Sequence, residues 1–340
     1  MNTAIAEQVL NAVRKKRMWS LTFMALGLAV LMMVTLRMGT VEFTFRQVLG
    51  VFTGSNADSL ARQVVYNIRL PRMLTAVMVG VNLAVSGALL QGVLRNPLAS
   101  PQVIGVNAGA GLAAVSVMIF FPGKLSLLPP AAFAGALLAV LLVYGLTFHQ
   151  QLNTTVSIVL AGVAVSAFLN AMTSGLMILN SDDIEVTYSW LLGGLAGRGW
   201  SYVSLIAGYT LLGVLVALLL SPKINLFLLG EEVGSSLGLR VRLYRSLIMI
   251  TAAVLAGSAV SVAGTIGFVG LIAPHMTRLL VGDDYRYLTI GSGLMGGLLL
   301  LTADTVARTV FRPVELPVGV ITSVLGAPFF LYLLYRGRGR

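Results

Sequence analysis

The sequence contains no cysteine and few charged residues. Its 340 residues include 2 His and 12 acidic side chains, and charged residues make up only 10% of the chain. The absence of cysteine excludes disulfides, iron–sulfur clusters and thiol catalysis, and it leaves the redox compartment open. Because 57% of the residues are hydrophobic, the composition lies far outside that of a soluble globular domain. The chain is therefore expected to be an integral membrane protein.

The scarcity of acids leaves a formal net charge of +11. In a membrane protein such an excess usually reflects basic cytoplasmic loops and termini, so nucleic acid is not expected as a partner. Four cations at 14–17 precede the first apolar run, and no small-residue cleavage site closes a short hydrophobic region. We therefore expect a retained first span and not a secreted mature form.

Ten apolar runs have about the length that a helix needs to cross roughly 30 Å of hydrocarbon. They lie at 19–38, 70–93, 103–121, 129–148, 154–179, 202–220, 245–264, 266–281, 287–309 and 316–335. This pattern predicts an all-α, polytopic membrane protein with a single domain over residues 1–340. An even number of spans places both termini on one side, and the basic residues favour the cytoplasm for that side. The N-terminal segment 1–18 and the loop 221–244 are then cytoplasmic.

The stretch GEEVGSSLG at 230–238 interrupts the apolar runs with two carboxylates, three glycines and two serines. Part of it matches the nucleophile elbow of hydrolases. However, no acid lies between Ser236 and the only downstream histidine, His275, so the residue order of a catalytic triad fails. Two charges at the centre of a span would cost about 5 to 7 kcal/mol. The stretch is therefore predicted to lie at the membrane surface.

Within this stretch the apolar residues follow a helical spacing. Leu229, Val233 and Leu237 recur every fourth residue, which indicates a short helix with one apolar stripe. The two glutamates fall in its first turn, where the helix dipole favours them, and Gly238 is suited to end it. Two interpretations remain: a surface turn that links two spans, or a helix presented to a soluble partner in the cytoplasm.

Further segments accompany this stretch in a characteristic order. They are IRLPRMLTAVMVG at 68–80, SGALLQGVLRNPLASPQVIGVNAGAG at 86–111, AGTIGFVGLIAPHMTRLLVGDD at 263–284, ADTVAR at 303–308 and ELPVGVITSVLGAPFFLYLL at 315–334. Together with GEEVGSSLGL, they resemble the permeases of ABC importers for ferric siderophores, haem and cobalamin. The resemblance covers residues 68–335, and it is the combination of motifs that makes it specific.

The resemblance implies a type II ABC-importer permease fold with ten transmembrane helices in the cell membrane. It also implies three kinds of protein partner within or at the membrane. These are a second permease subunit that is identical or related to this chain, two ATP-binding subunits, and an extracytoplasmic substrate-binding protein. ATP and Mg would be bound by the partner ATPase. The chain itself is expected to be no enzyme and to hold no nucleotide cofactor, since its single Gly-Lys pair at 123–124 lacks the upstream glycine of a phosphate-binding loop. No metal site is expected either, because its two histidines, His149 and His275, lie far apart in the chain without nearby cysteine or paired acids.

The resemblance also assigns roles to residues at the two membrane surfaces. Coupling to the ATPase falls to the acidic stretch, at Glu231, Glu232, Gly234, Leu237 and Gly238. Docking of the binding protein falls to arginines on the outer side, at Arg69, Arg72 and Arg308, with Arg312 as a neighbour. An alternative for Arg69 and Arg72 is ordinary snorkelling of arginine at the start of a helix.

Residues of the translocation path are predicted from two sources. The resemblance implies a gate between the fourth and fifth spans, at Thr154 and Thr155. Polar residues in or near spans are further candidates for the path, namely Asn82, Gln91, Asn107 and Asn170. For each of them, hydrogen bonding between helices is at least as good an interpretation.

The sequence therefore predicts the transmembrane subunit of an importer for an iron chelate, a ferric siderophore in particular, with haem or cobalamin as alternatives within the family. A second hypothesis is a secondary transporter driven by an ion gradient, with Asp304 as the coupling acid, because acids inside membranes are often functional. Asp304 could instead pair with Arg308 four residues later.

Overall fold

The structure, a computed structural model, describes residues 3–39, 41–53, 59–148, 155–180, 184–311 and 313–337. The regular secondary structure in this part of the chain is entirely helical, and it contains no strand. The helices are α1 (Thr3–Arg37), α2 (Phe45–Thr53), α3 (Ser59–Val64), α4 (Leu70–Val93), α5 (Val106–Phe120), α6 (Leu128–Phe148), α7 (Thr155–Leu179), α8 (Ile184–Leu191), α9 (Trp200–Leu228), α10 (Glu231–Ser236), α11 (Val241–Ala263), α12 (Val269–Val281), α13 (Tyr285–Thr309) and α14 (Val318–Gly337). A π-helical turn, Val65–Arg69, leads into α4, and a 3₁₀ segment, Pro122–Leu127, leads into α6.

Each of the ten predicted spans coincides with one helix. Among the described residues, seven helical stretches are long and apolar enough to cross a membrane, and three shorter apolar helices, in α5, α12 and α14, accompany them. The prediction of an all-α, polytopic membrane protein is therefore confirmed.

Two predicted boundaries differ from the structure. Helix α1 already begins at Thr3, so the segment before the first span continues the same helix. Helix α9 runs on to Leu228 and α11 begins at Val241, so the predicted loop 221–244 shrinks to a short link around α10. Pro222 lies inside α9 without ending it. The next turns bury Ile224 and Phe227 completely or nearly so, and this burial favours continued helix.

Helix α4 lies at the centre of the fold. It packs against α9, α11, α12 and α13, and most of its side chains are buried. Small residues allow the close crossings: a Cβ added at Gly80 would overlap the backbone of Gly296 on α13, and one at Gly87 would overlap that of Gly270 on α12. Close backbone approach through glycine is typical of packed membrane helices, where dispersion contacts drive association.

Helices α5, α6 and α7 form a neighbouring layer, in which Gly109 of α5 crosses Gly135 of α6 at close range. Both α5 and α12 are short and follow irregular segments, 94–105 and 264–268. The segment 264–268 lies against the turn after α8, where the Gly194 amide donates to the Ala263 carbonyl at 2.8 Å. These interruptions leave a cavity between α5, α7 and α8.

Candidate functional site

The acidic stretch forms a short helix between two long helices. Helix α10 begins after Gly230 and ends in a Schellman motif. There the Leu239 amide donates to the Gly234 carbonyl and the Gly238 amide donates to the Ser235 carbonyl, each at 2.9 Å. Gly238 has a φ of +83°, which a glycine adopts without the steric cost of a side chain. The predicted helix and its glycine stop are both present.

Two further contacts fix α10 on the body of the protein. Gly234 is buried, and a Cβ at this position would lie 3.3 Å from the Leu239 side chain and 3.4 Å from the Leu226 carbonyl oxygen. The Glu231 carboxylate forms an ion pair with the guanidinium of Arg245 at the start of α11. Glu231 therefore orients the helix through Arg245, while Glu232 is exposed.

The apolar stripe of α10 faces outward. Leu229, Val233 and Leu237 are 57%, 48% and 60% exposed. Beside them a groove of about 780 Å³ runs between the end of α10 and the first turns of α11; it is lined by Ser235, Gly238, Leu239, Arg240, Val241, Arg242, Leu243 and Ser246. An anchored helix with an exposed apolar stripe and an adjoining groove is suited to bind another protein.

Ser236 does not occupy a nucleophile elbow. It lies near the end of a helix that follows another helix, whereas an elbow joins a strand to a helix. Its hydroxyl donates to the Glu232 carbonyl at 2.8 Å, a bond within its own helix. The structure therefore agrees with the residue order in giving no support to hydrolase chemistry.

At the other membrane surface, Arg69 and Arg308 close the end of α1. Arg69 Nη1 donates to the carbonyls of Leu36 and Arg37, each at 2.9 Å, and its Nη2 donates to the Val41 carbonyl. Arg308 donates to the carbonyls of Thr35 and Met38 at 2.7 and 2.9 Å.

The last carbonyls of a helix have no donor within it, and a cation near this end is favoured by the helix dipole. Arg69 is only 6% exposed and the side chain of Arg308 only 9%, so both arginines bind the end of α1 in this structure, and their docking role stays a prediction. Sequence could not indicate this, because the carbonyls that bind them belong to residues far away in the chain.

Arg72 is the centre of an ionic cluster between α4, α13 and the segment before α14. Its Nε and Nη2 donate to Asp304, with a shortest distance of 2.8 Å, and its Nη1 donates to Glu315 at 2.8 Å. The side chains of Arg72 and Asp304 are 12% and 2% exposed, whereas that of Glu315 is 43% exposed. One edge of the guanidinium is thus committed to a buried acid, and the other binds an acid at the surface.

Two of the predicted path residues lie in helix contacts. The Asn82 amide donates to the Ser258 hydroxyl at 3.1 Å, which joins α4 to α11. Gln91 donates to the Gly270 carbonyl at 3.4 Å and accepts from Arg278 at 3.2 Å, both on α12. Both residues are buried, which favours the alternative of hydrogen bonds between helices, while their place along the path stays a prediction.

Asn170, in contrast, lines the cavity between α5, α7 and α8. This cavity has a volume of about 870 Å³. Its lining consists of Gln102, Asn107, Ala108, Gly111, Ser166, Asn170, Thr173, Ser174, Met177, Ile178, Ile184, Glu185, Tyr188, Leu191 and Thr265. Of the predicted gate residues, Thr154 lies outside the described residues, as does Arg312, and Thr155 is the first residue of α7.

The sequence interpretation missed three groups that the structure brings to these sites. Arg245 holds α10, Glu315 shares Arg72, and Glu185 and Tyr188 line the cavity from α8. An acid within a few residues of a predicted span could have drawn attention to Glu185 and Glu315. No pattern along the chain could have paired Arg245 with Glu231.

Comparisons with known proteins agree with this architecture. The family model of the FecCD transport family matches residues 27–336. The Fe(3+)-citrate import system permease protein YfmE of Bacillus subtilis is 38% identical over 94% of this chain and 96% of its own length. The hemin transport system permease protein HmuU of Yersinia pestis is 38% identical over 94% of this chain and 96% of its own length. A solved metal-chelate type ABC transporter in an inward-facing conformation superimposes with a TM-score of 0.83 at 30% identity, covering 93% of this chain and 98% of that one.

Proposed function

This chain belongs to the FecCD transport family and is therefore a multi-pass membrane permease, and we propose that it is the transmembrane subunit of an ATP-binding-cassette importer for a ferric chelate. Both termini would lie in the cytoplasm, with α10 on the same side. The relatives carry ferric citrate or hemin by name, which supports an iron-containing substrate. A haem or cobalamin substrate remains the alternative within the family, and a cobalamin import permease of Halobacterium salinarum is 43% identical over 81% of this chain.

One observation carries the coupling part of this proposal. Helix α10 is fixed by its Schellman stop and by the Glu231–Arg245 ion pair, yet its apolar stripe at Leu229, Val233 and Leu237 is exposed. It is also joined directly to α9 and α11, two membrane-spanning helices. A partner that binds the stripe could therefore move both helices as it closes.

The proposed importer function implies three kinds of protein partner. Two ATP-binding subunits would dock at α10 and supply ATP hydrolysis with bound Mg, so the chain itself would be no enzyme and would need no cofactor. A second permease copy or relative would complete the path, and a substrate-binding protein would deliver the chelate on the outer side. Of the predicted docking arginines, Arg72 is the best candidate, since its surface partner Glu315 is 43% exposed.

Asp304 is less suited to the alternative of an ion-driven transporter. The carboxylate accepts hydrogen bonds from Arg72 and lies 4.0 Å from the Arg308 Nε. A coupling acid has to release and rebind its proton or ion during each cycle, whereas this carboxylate is already bound by Arg72 and lies beside Arg308. We therefore favour ATP-driven transport, with Asn170, Thr154 and Thr155 along the path.

The coupling proposal is tested with charges in the apolar stripe. Replacing Val233 and Leu237 with Asp should lower ATP-dependent uptake by at least about tenfold and release the ATPase subunits during purification, because an unpaired charge would be buried in the interface. Leu125→Asp, at an equally exposed position on the 3₁₀ segment before α6, is the matched control. Normal uptake with bound ATPase in the double variant would contradict the role of α10.

Two further variants disturb the position and the end of α10 but leave its apolar stripe unchanged. Glu231→Gln removes the ion pair with Arg245, and Gly238→Val forces a branched side chain into a left-handed conformation. Both should reduce uptake while the amount of permease in the membrane stays the same. Glu232→Gln tests the exposed carboxylate alone.

A further inference from the structure

The cavity between α5, α7 and α8 is rich in neutral polar groups. The amides of Gln102, Asn107 and Asn170 and the hydroxyls of Ser166, Ser174 and Tyr188 all line it, together with apolar side chains. Its volume of about 870 Å³ is within the range of sites for small organic molecules, roughly 300 to 1,000 Å³. Amides and hydroxyls both donate and accept hydrogen bonds, so the lining fits a neutral ligand that carries many oxygen atoms.

The charges around the cavity are unequal. Among the described lining residues, Glu185 is the one carboxylate, and there is no Lys, Arg or His. An anion that enters such a site gives up hydration without gaining a cation as a partner, which is costly where water is partly excluded. The carboxylate adds repulsion against anions and attraction for a cation.

The N-termini of two helices at the cavity add positive partial charge, which reduces the excess of negative charge in the lining without reversing it. Asn107 lies in the first turn of α5 and Glu185 in the first turn of α8, so both helices start at the cavity. Each start carries about half a positive charge in partial charges on its amides. The charge of Glu185 is about equal and opposite to the two starts together, so they do not make the cavity a site for anions, while their amide N–H groups can donate to uncharged carbonyl-type oxygens.

We propose that this cavity, within the path assigned under the proposed function on which this inference rests, selects neutral or singly cationic ferric chelates of the tris-hydroxamate class. In such a chelate three hydroxamates, each with one negative charge, balance ferric iron, and their oxygens and amide linkages match the lining. Polyanionic chelates, such as the tris-catecholates, are disfavoured. Glu185 is the specificity-determining residue.

The charge of the cavity can be measured without any substrate. Because the chain has no cysteine, Ser174→Cys introduces the only thiol of this chain, inside the cavity. In the transporter assembled with its ATPase subunits in nanodiscs, this thiol should react faster with a cationic than with an anionic methanethiosulfonate, relative to the same ratio for a free thiol. Adding Glu185→Lys should lower the cation-to-anion ratio by about tenfold, and Glu185→Gln by less.

The matched control is Glu42→Lys, which makes the same charge change at an exposed position between α1 and α2, away from the cavity. It should leave the ratio unchanged. A faster reaction with the anionic reagent in the unaltered cavity, or a ratio that does not respond to Glu185→Lys, would overturn the assignment of charge.

Chelates then test the ligand class through protection of the same thiol. Ferrioxamine B, a cationic tris-hydroxamate, should slow labelling at about tenfold lower concentration than the trianionic ferric enterobactin, and Glu185→Lys should narrow or reverse this difference. Better protection by the anion, or protection by neither chelate, would refute the inference. ATP-dependent uptake of any ferric chelate would persist in that case, so the outcome is distinguishable from a failure of the proposed function.

Discussion

Arginine side chains near the end of α1 and the start of α4 serve two different purposes in this protein. Arg69 and Arg308 bind carbonyls at the end of α1, where the helix provides no donor of its own. Arg72 binds two acids, one buried and one half-exposed. Only the ion pair of Arg72 with Glu315 reaches the surface, where a carboxylate of another protein could take the place of Glu315.

This difference gives a prediction for Glu315. In Glu315→Gln, Arg72 keeps its buried pair with Asp304 but loses the competing surface charge, so a carboxylate of the binding protein should bind more tightly, by about threefold to tenfold. The measurement is equilibrium association of the binding protein with the purified transporter at low salt, where exposed charges are least screened.

Glu42→Gln removes an exposed acid between α1 and α2 and serves as the control. Equal association in both variants would argue against a docking role for Arg72. Charge reversal at Arg72 itself is less informative, because it would place two acids side by side in a buried site and destabilise the fold.

At the scale of helices, glycine sets the distance between neighbours. Gly80 and Gly296 face each other where α4 crosses α13, and a Cβ on either would overlap the other's carbonyl oxygen. The same residues in sequence suggest only flexibility, since glycine is unfavourable within helices in water. In the fold they allow a backbone contact that no larger residue permits.

Gly296→Ala is therefore expected to destabilise the protein by about 1 to 3 kcal/mol, the usual cost of overpacking. Gly145→Ala on α6 is the matched control, because a Cβ at that position meets nothing within 4 Å. It should leave stability unchanged or raise it slightly. Thermal unfolding in one detergent compares the two variants, and equal midpoints would show that the crossing can relax.

Pro222 and α10 illustrate how elements depart from local rules. Proline inside a helix removes one hydrogen bond, yet α9 continues past it because Ile224 and Phe227 are packed in the core. Helix α10 has only six residues, too few to be stable alone, and it is held by the Schellman stop and by Arg245.

For the whole molecule, the arrangement across the membrane can be tested with single cysteines, since the chain has none. Gly123→Cys lies on the predicted outer side and Glu232→Cys on the predicted cytoplasmic side. A membrane-impermeant maleimide added to intact cells should label the first, and should label the second only after permeabilisation. The opposite pattern would reverse the orientation and place α10 outside, away from any ATPase.

Much of the architecture was predictable from the sequence. A helix is present at each of the ten predicted spans, and the short helix with its glycine stop at 230–238 was predicted and is present. The family and its general function were also predicted, and the comparisons confirm both. The surroundings of the predicted path residues were not predictable: Asn170 lines a cavity, whereas Asn82 and Gln91 form hydrogen bonds between helices.

The sequence by itself determined that the chain enters a membrane, where it crosses, and which short stretch stays at the surface. These properties depend on the sum of transfer free energies over neighbouring residues, so they can be summed along the chain. Only the tertiary structure decided what each polar side chain does. Arg308 meets Met38 from 270 positions away and Arg72 meets Asp304 from 232 positions away. The role of a buried charge depends on which distant groups the helix packing brings within hydrogen-bond distance.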